Sequence, residues 1–179
     1  MNIFWYRRDL RTYDNHALHE ALKAPGTVMP IFIFDKNILD RLDKDDSRVT
    51  FIAKLLNDIN TTLHKHQRSL AVFFDTPENV FAKLISSHNV EAVYTNHDYE
   101  PYAIKRDREI KDFLHLKGVN FKTFKDQVIF ETNEVVKDNG DPYVVYTPYS
   151  RKWMEKLQNT RLPEYKIELK ADKIEKHDY

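Results

Sequence analysis

Five short apolar runs, each separated from the next by a stretch long enough for a helix, limit this chain more than any other feature. Ile3-Phe4-Trp5-Tyr6, Val28 to Phe34, Leu70 to Phe74, Ala92 to Thr95 and Val119 to Phe124 read as strands. Runs such as LAVFF show no polar alternation, which predicts strands covered on both faces. Parallel neighbours need a crossover, and helix-length crossovers are what this chain supplies. The pattern therefore predicts an α/β fold with a parallel sheet. Pro30 sits awkwardly in the second run, because proline cannot donate to the ladder and belongs at a strand start or an edge.

The intervening stretches carry helix signals. Asp14 is positioned to cap a helix bearing Ala17, Leu18, Ala21 and Leu22 on one side. Ser47 is expected to cap a second, whose Ile52, Leu55, Leu56, Ile59 and Leu63 follow helical spacing. Thr76-Pro77-Glu78 combines a cap, a proline in the first turn and an early acid. Pro101 opens a fourth helix, which Gly118 ends. After Phe124 the alternation fades. NGDPY at 139–143 marks a turn, and Thr147-Pro148 starts a helix with Tyr149, Trp153 and Leu157 four apart. Beyond Arg161 the chain is charged and thinly apolar, as a linker or tail is.

Composition narrows the function. The 179 residues hold 28 Lys and Arg against 28 Asp and Glu, whereas a domain built to grip nucleic acid is usually clearly basic. With no cysteine there is no disulfide, thiolate metal site or cysteine nucleophile, which fits a reducing cytoplasm. No apolar run nears the roughly 18 residues of a membrane span, and no leader precedes the first strand, so a soluble, cytoplasmic protein with no membrane partner is expected. Three glycines, Gly26, Gly118 and Gly140, cannot make a Gly-rich phosphate loop.

Chemistry concentrates in two places. In WYRRDLRTYDN, residues 5–15, Arg7, Arg8 and Arg11 stand beside Asp9 and Asp14 at the end of the first strand. Open α/β sheets bind ligands there, which makes an anion or nucleotide site one reading. A knot of salt bridges fixing the strand-to-helix turn is the other, and is preferred because buried arginines are normally paired. The second place, TNHDYEPYAIKRDREI at 95–110, puts Asp98, Glu100 and Tyr102 after the fourth strand, beside the expected position of Phe34-Asp35-Lys36. It reads equally as a ligand crevice or as an ordinary acidic helix start. His16 and His19 lack a third ligand and His64 and His66 diverge, so no metal site is expected. No catalytic triad or paired carboxylates can be assembled from local spacing.

Taken in order, IFWYRRDLRTYDNHAL, VMPIFIFDKNIL, SRVTFIAKLLNDINTTL, EAVYTNHDYEPYAIKRDREI and DPYVVYTPYSRKW resemble the amino-terminal domain of the DNA photolyase/cryptochrome family from Ile3 to about Trp153. The resemblance implies a Rossmann-like, three-layer domain with a five-stranded parallel sheet that carries a light-harvesting antenna chromophore. It implies a domain over 1–135 and the start of an interdomain linker over 136–179. A helical FAD-binding domain and damaged DNA would then be partners through a longer parent protein, a deoxyribodipyrimidine photolyase that repairs cyclobutane pyrimidine dimers in light. This stretch alone is expected to be inactive, with no catalytic residue of its own. The alternatives are a cryptochrome-type blue-light photoreceptor domain and a stand-alone nucleotide-binding α/β protein.

The family's antenna contacts carry over to Phe34, Asp35, Arg48, Phe51, Asp98 and Glu100. Folate-using members place an Asn-Glu pair where this chain has Tyr102-Ala103. A deazaflavin or flavin type of antenna is therefore favoured over folate, with FAD itself belonging to the second domain. Family glycines near Gln67 and at Asp75 are missing, which reads as loop variation. The RRDLR form leans towards the ordinary dimer-repairing branch.

Overall fold

The computed structural model describes residues 1–176. Five strands, β1 (Asn2–Tyr6), β2 (Val28–Asp35), β3 (Ala71–Asp75), β4 (Ala92–Asn96) and β5 (Asn120–Phe124), form one sheet in the order β3-β2-β1-β4-β5. Every pairing is parallel, as the helix-length crossovers require. Pro30 proves harmless. It lies opposite Phe4, and pairing with β3 begins only at Ile31, so the missing donor falls where the ladder on that side has not yet started.

Helices cover both faces. Ala17, Leu18 and Ala21 of α1 (His16–Lys23), with Leu56, Ile59 and Leu63 of α3 (Ser47–His64), pack on Phe4, Tyr6, Val28 and Phe32. On the opposite face Val80, Phe81 and Leu84 of α4 (Pro77–Ser87), with Ile110 and Leu114 of α5 (Pro101–Leu116), pack on Ile3, Trp5, Met29, Ile31 and Val93. Both faces of β1 are buried throughout, which is why its sequence shows no alternation. A single turn, α2 (Lys36–Leu39), follows β2, and α6 (Tyr146–Gln158) lies outside the core, with Trp153 edge-on to Phe130 at 5.5 Å.

Two caps differ from expectation by one residue. Asn15, not Asp14, caps α1, and its side chain accepts from the Leu18 amide at 3.1 Å. Asp14 takes a positive φ of 42° and turns its carboxylate to the amide of Tyr165 at 2.9 Å. Asp46, not Ser47, caps α3 by accepting from the Arg48 amide. Thr76 caps α4 ahead of Pro77, and Gly118 ends α5 at φ 74°. Gln67, close to a position where the resemblance leads one to expect glycine, occupies the left-handed region at φ 57°.

The charged segment after Arg161 is fastened to the α/β layers. Tyr165 stacks on His16 at 4.0 Å, and the Lys166 and Ala171 carbonyls meet His19 and Arg68. Ile174 is buried and bridges to Val28. Three apolar residues, Ile167, Leu169 and Ile174, are enough to seat a tail that composition alone marks as loose.

Candidate functional site

Strand order reverses between β1 and β4, which is where an open parallel sheet usually admits a ligand. Here that position is plugged. Asp9, Asn15 and Asn96 are all buried. The Asp9 carboxylate accepts from Asn15 Nδ2 at 3.0 Å, from Asn96 Nδ2 at 2.6 Å and from the Arg7 amide at 2.9 Å. Asn96 Oδ1 in turn accepts from the Ala17 amide at 2.9 Å. A fully satisfied network of this kind fixes the first turn of α1 to the end of β4 and leaves a void of only about 10 Å³.

An apolar cavity of about 260 Å³ lies to the β1–β2 side of this plug. Its floor is built by strand ends, Trp5 and Tyr6 from β1 and Phe32 to Asp35 from β2. The α2 turn contributes Ile38 and Leu39, and Val49 and Ile52 come from α3. The apolar stripe of α3 runs further towards its amino end than the sheet can cover. Leu56, Ile59 and Leu63 are buried, while Val49 and Ile52 overhang the strand ends and become a wall.

Polar groups enter at the rim. Asp98, Arg8, Arg48 and Arg106 line the cavity with Asp35 and Arg7. Asp35 caps α2 through the Asn37 amide at 3.0 Å and accepts the Tyr102 hydroxyl at 2.6 Å. That bond and partial desolvation push the Tyr102 phenol up to about 12, desolvation being the larger cause. Asp98 lies 3.8 Å from Arg8, which also reaches Glu100 at 3.4 Å. The loop carrying Asp98 is held on either side. His97 bonds Thr123 at 3.0 Å and Glu131, and the Tyr99 hydroxyl donates to Glu131 at 2.9 Å.

Behind the rim the arginines of the opening motif are paired, but with distant partners. Arg7 makes a two-pronged bond to Asp107 at 2.6 and 2.7 Å, and Arg106 bonds the same carboxylate at 2.9 Å. Burial pulls the Arg7 guanidinium below its ordinary range, and Asp107 opposes that. Arg11 bonds Asp126 at 2.8 Å. The salt-bridge knot is thus present for Arg7 and Arg11, while Arg8, with its side chain 58 % exposed, faces the crevice.

Of the six residues singled out from sequence, Phe34, Asp35, Arg48 and Asp98 line the cavity. Glu100 stands at the rim against Arg8 and caps α5 without a side-chain bond. Phe51 is 62 % exposed and outside the lining, because it sits one residue off the Val49–Ile52 stripe and turns to solvent. Trp5, Ile38, Leu39, Val49, Ile52 and Arg106 join the site unannounced. The α3 periodicity already contained Ile52, and Trp5 opened the motif, but nothing local ties Arg106 to either. Among the described residues no cluster of three or more His, Cys, Asp or Glu could hold a metal ion, and no helix is long and apolar enough to cross a membrane.

This build, a parallel layer with an aromatic crevice over β1 and β2, meets a family model described as DNA photolyase over residues 2–168. The chain belongs to the DNA photolyase family. It is 33 % identical over 175 residues to the deoxyribodipyrimidine photo-lyase of Halobacterium salinarum, covering 92 % of this chain and 36 % of that protein. It is 28 % identical over 158 residues to the corresponding enzyme of a Synechococcus strain, covering 88 % of this chain and 33 % of that one. The chain therefore spans about a third of the length of these curated relatives. Cryptochromes are also among its relatives. The crystal structure of an archaeal photolyase from Sulfolobus tokodaii superposes with a TM-score of 0.78 at 26 % identity, over 99 % of this chain and 39 % of that one. Its description reports two FAD molecules and the implication of a novel light-harvesting cofactor.

Proposed function

We propose that this chain is the antenna lobe of a light-driven deoxyribodipyrimidine photolyase, and that the β1–β2 crevice holds a flat dye of the deazaflavin or flavin type. The single observation that carries the reading is the crevice itself, in which aromatic and aliphatic walls end in four guanidiniums and two carboxylates. A conjugated heterocycle needs flat apolar walls for its faces and a few oriented polar groups for its edge. The solvent-exposed guanidiniums of Arg8 and Arg48 are free to exchange their acids for an anionic edge or a phosphate. The cavity of about 260 Å³ lies just below the roughly 300–1,000 Å³ of ordinary ligand pockets, and suits a ring system whose side chain lies outside.

Bound there, the dye would supply absorption of blue or near-ultraviolet light and pass the excitation on. The protein's part is positional. Phe34 and Trp5 restrain the ring, Asp35 and Asp98 accept from edge N–H groups, and Arg8 and Arg48 take the anionic end. Glu100 acts one step back, holding Arg8. Phe51 has no place in this contact set. Folate is the poorer fit, since Tyr102 is committed to Asp35 and Ala103 is buried in α5.

In this reading residues 1–135 form the lobe and 136–179 lead towards a helical FAD-binding domain in a longer parent, where dimer repair takes place. The relatives' extra length supports a further domain in such a parent. The 179-residue chain, mixed with dimer-containing DNA and reduced FAD under blue light, is expected to take up a dye and leave dimers intact. Dimer reversal above a protein-free control would overturn the assignment of repair to another domain. Failure to retain any flavin, deazaflavin or folate through gel filtration would overturn the antenna role. The cryptochrome relatives favour a second reading, a photoreceptor lobe, in which the full-length protein would bind the same dye and never reverse a dimer.

A further inference from the structure

We propose that Arg7 and Arg106 guard Trp5 against oxidation, so that the cavity wall does not drain the excitation of the ligand beside it. The proposal rests on the antenna reading and adds a property which that reading does not itself require. Trp5 is the only tryptophan lining the crevice, since the chain's other one, Trp153, lies on α6. Indole is the most easily oxidised of the side chains there. A photoexcited flavin-type ring in contact with an indole takes one electron from it, leaving an indole radical cation and a singly reduced ring. The electron then returns, no proton moves, and the excitation is lost as heat. A wall built from tryptophan should quench the dye it holds.

The surroundings of this indole oppose that step. The Arg106 guanidinium lies 4.8 Å from the ring centroid and that of Arg7 lies 5.2 Å away. A cation near an aromatic ring is attracted to the π electrons of the neutral form. Once an electron has left, the same geometry sets positive charge against positive charge. Asp107 bonds both arginines and Asp9 also acts on Arg7, but the two guanidiniums are the charged groups set against the ring itself. Water cannot screen them. Trp5 is 2 % and Arg106 6 % exposed, and the Phe81 ring stands nearly perpendicular to the indole with centroids 5.2 Å apart. Arg106 also reaches the ring of Tyr102, the phenol bonded to Asp35, at 5.7 Å.

A purely structural cluster would give the same fold and the same ion pairs, so the deciding readout is photophysical. Riboflavin 5′-phosphate is bound to the chain, and its fluorescence lifetime is measured in the native protein, in Arg106→Met, Arg106→Lys and Trp5→Phe, and in the Arg106→Met/Trp5→Phe pair. Arg106→Met is expected to shorten the bound lifetime at least about threefold by removing one unscreened charge from the ring. Arg106→Lys should keep the native lifetime, and the double variant should regain it. Trp5→Phe alone, which leaves both guanidiniums paired, should change the lifetime little. Equal lifetimes in native protein and Arg106→Met overturn the proposal. So does a severalfold lengthening on Trp5→Phe alone, a result that stands even if Arg106→Met fails to fold. Native protein that retains no riboflavin 5′-phosphate removes the antenna reading for this dye and the guard with it, whereas bound dye with an indifferent lifetime removes only the guard.

Discussion

Two sets of ion pairs meet at the crevice, and they differ in what surrounds them. The inner set, Arg7–Asp107–Arg106, is buried, with side-chain exposures of 7, 17 and 6 %. The outer set pairs Arg8 with Asp98 and Glu100, and Arg48 with Asp46, and both arginines are largely in water. The chemistry is the same in both, but only the inner set is costly to disturb, since a buried charge that loses its partner has no solvent to turn to. The outer arginines can leave their acids for an anionic ligand at little expense. The comparison separates a fixed scaffold, which sets where Trp5 and Tyr102 stand, from a movable rim that does the recognising.

The largest effect should come from Asp107→Ala, which strands two buried guanidiniums. It is expected to cost about 3 kcal/mol or more, with a fall in melting temperature of roughly 6–12 °C, read by denaturant and thermal unfolding. Asn15→Ala should follow, at about 2 kcal/mol, because it removes the cap of α1 and one donor to buried Asp9.

Tyr102→Phe is expected to be milder, at about 1 kcal/mol near neutral pH. It also carries a pH signature. The phenol's raised value near 12 means the folded state keeps its proton where the unfolded chain, near 10, has lost it. The stabilisation is therefore complete below about pH 10 and lost as pH rises through about 12, so native protein should lose stability more steeply over that window than the Phe variant. The smallest effect on stability should come from Arg48→Ala, with an unchanged melting temperature and a weakened affinity for an anionic flavin. Equal stability losses at Asp107 and Arg48 would erase the distinction between scaffold and rim.

The sequence showed the scaffold's elements better than its connections. Strands β1 and β2 are legible because burial on both faces leaves an unbroken apolar run, and the α3 stripe because it keeps helical spacing. By contrast β3, whose LAVFF run predicts the same double cover, is an edge strand that leaves Val72 and Phe74 exposed. The caps at Asn15 and Asp46 lie one residue from their expected positions, because Asp14-Asn15 and Asp46-Ser47 each offer two capable neighbours and only the backbone turn decides between them. The pairing of Arg7 with Asp107 spans a hundred residues and leaves no local sign. The family resemblance points to Phe51, but the helical phase of α3 turns Val49 and Ile52 to the cavity and Phe51 to solvent. The plugged switch point was equally hidden, since Asp9, Asn15 and Asn96 look like turn residues until β4 brings the last of them to the other two.

The central claim, that the β1–β2 crevice seats a flat dye, is tested most directly by filling the crevice. Flavin and deazaflavin are titrated by fluorescence anisotropy into native protein and into Val49→Trp, whose added bulk enters the cavity from α3. The account predicts one equivalent bound by native protein and at least about tenfold weaker binding by the variant, a difference of about 1.4 kcal/mol, with the melting temperature held. Equal affinity in the two proteins would place the dye elsewhere and contradict it.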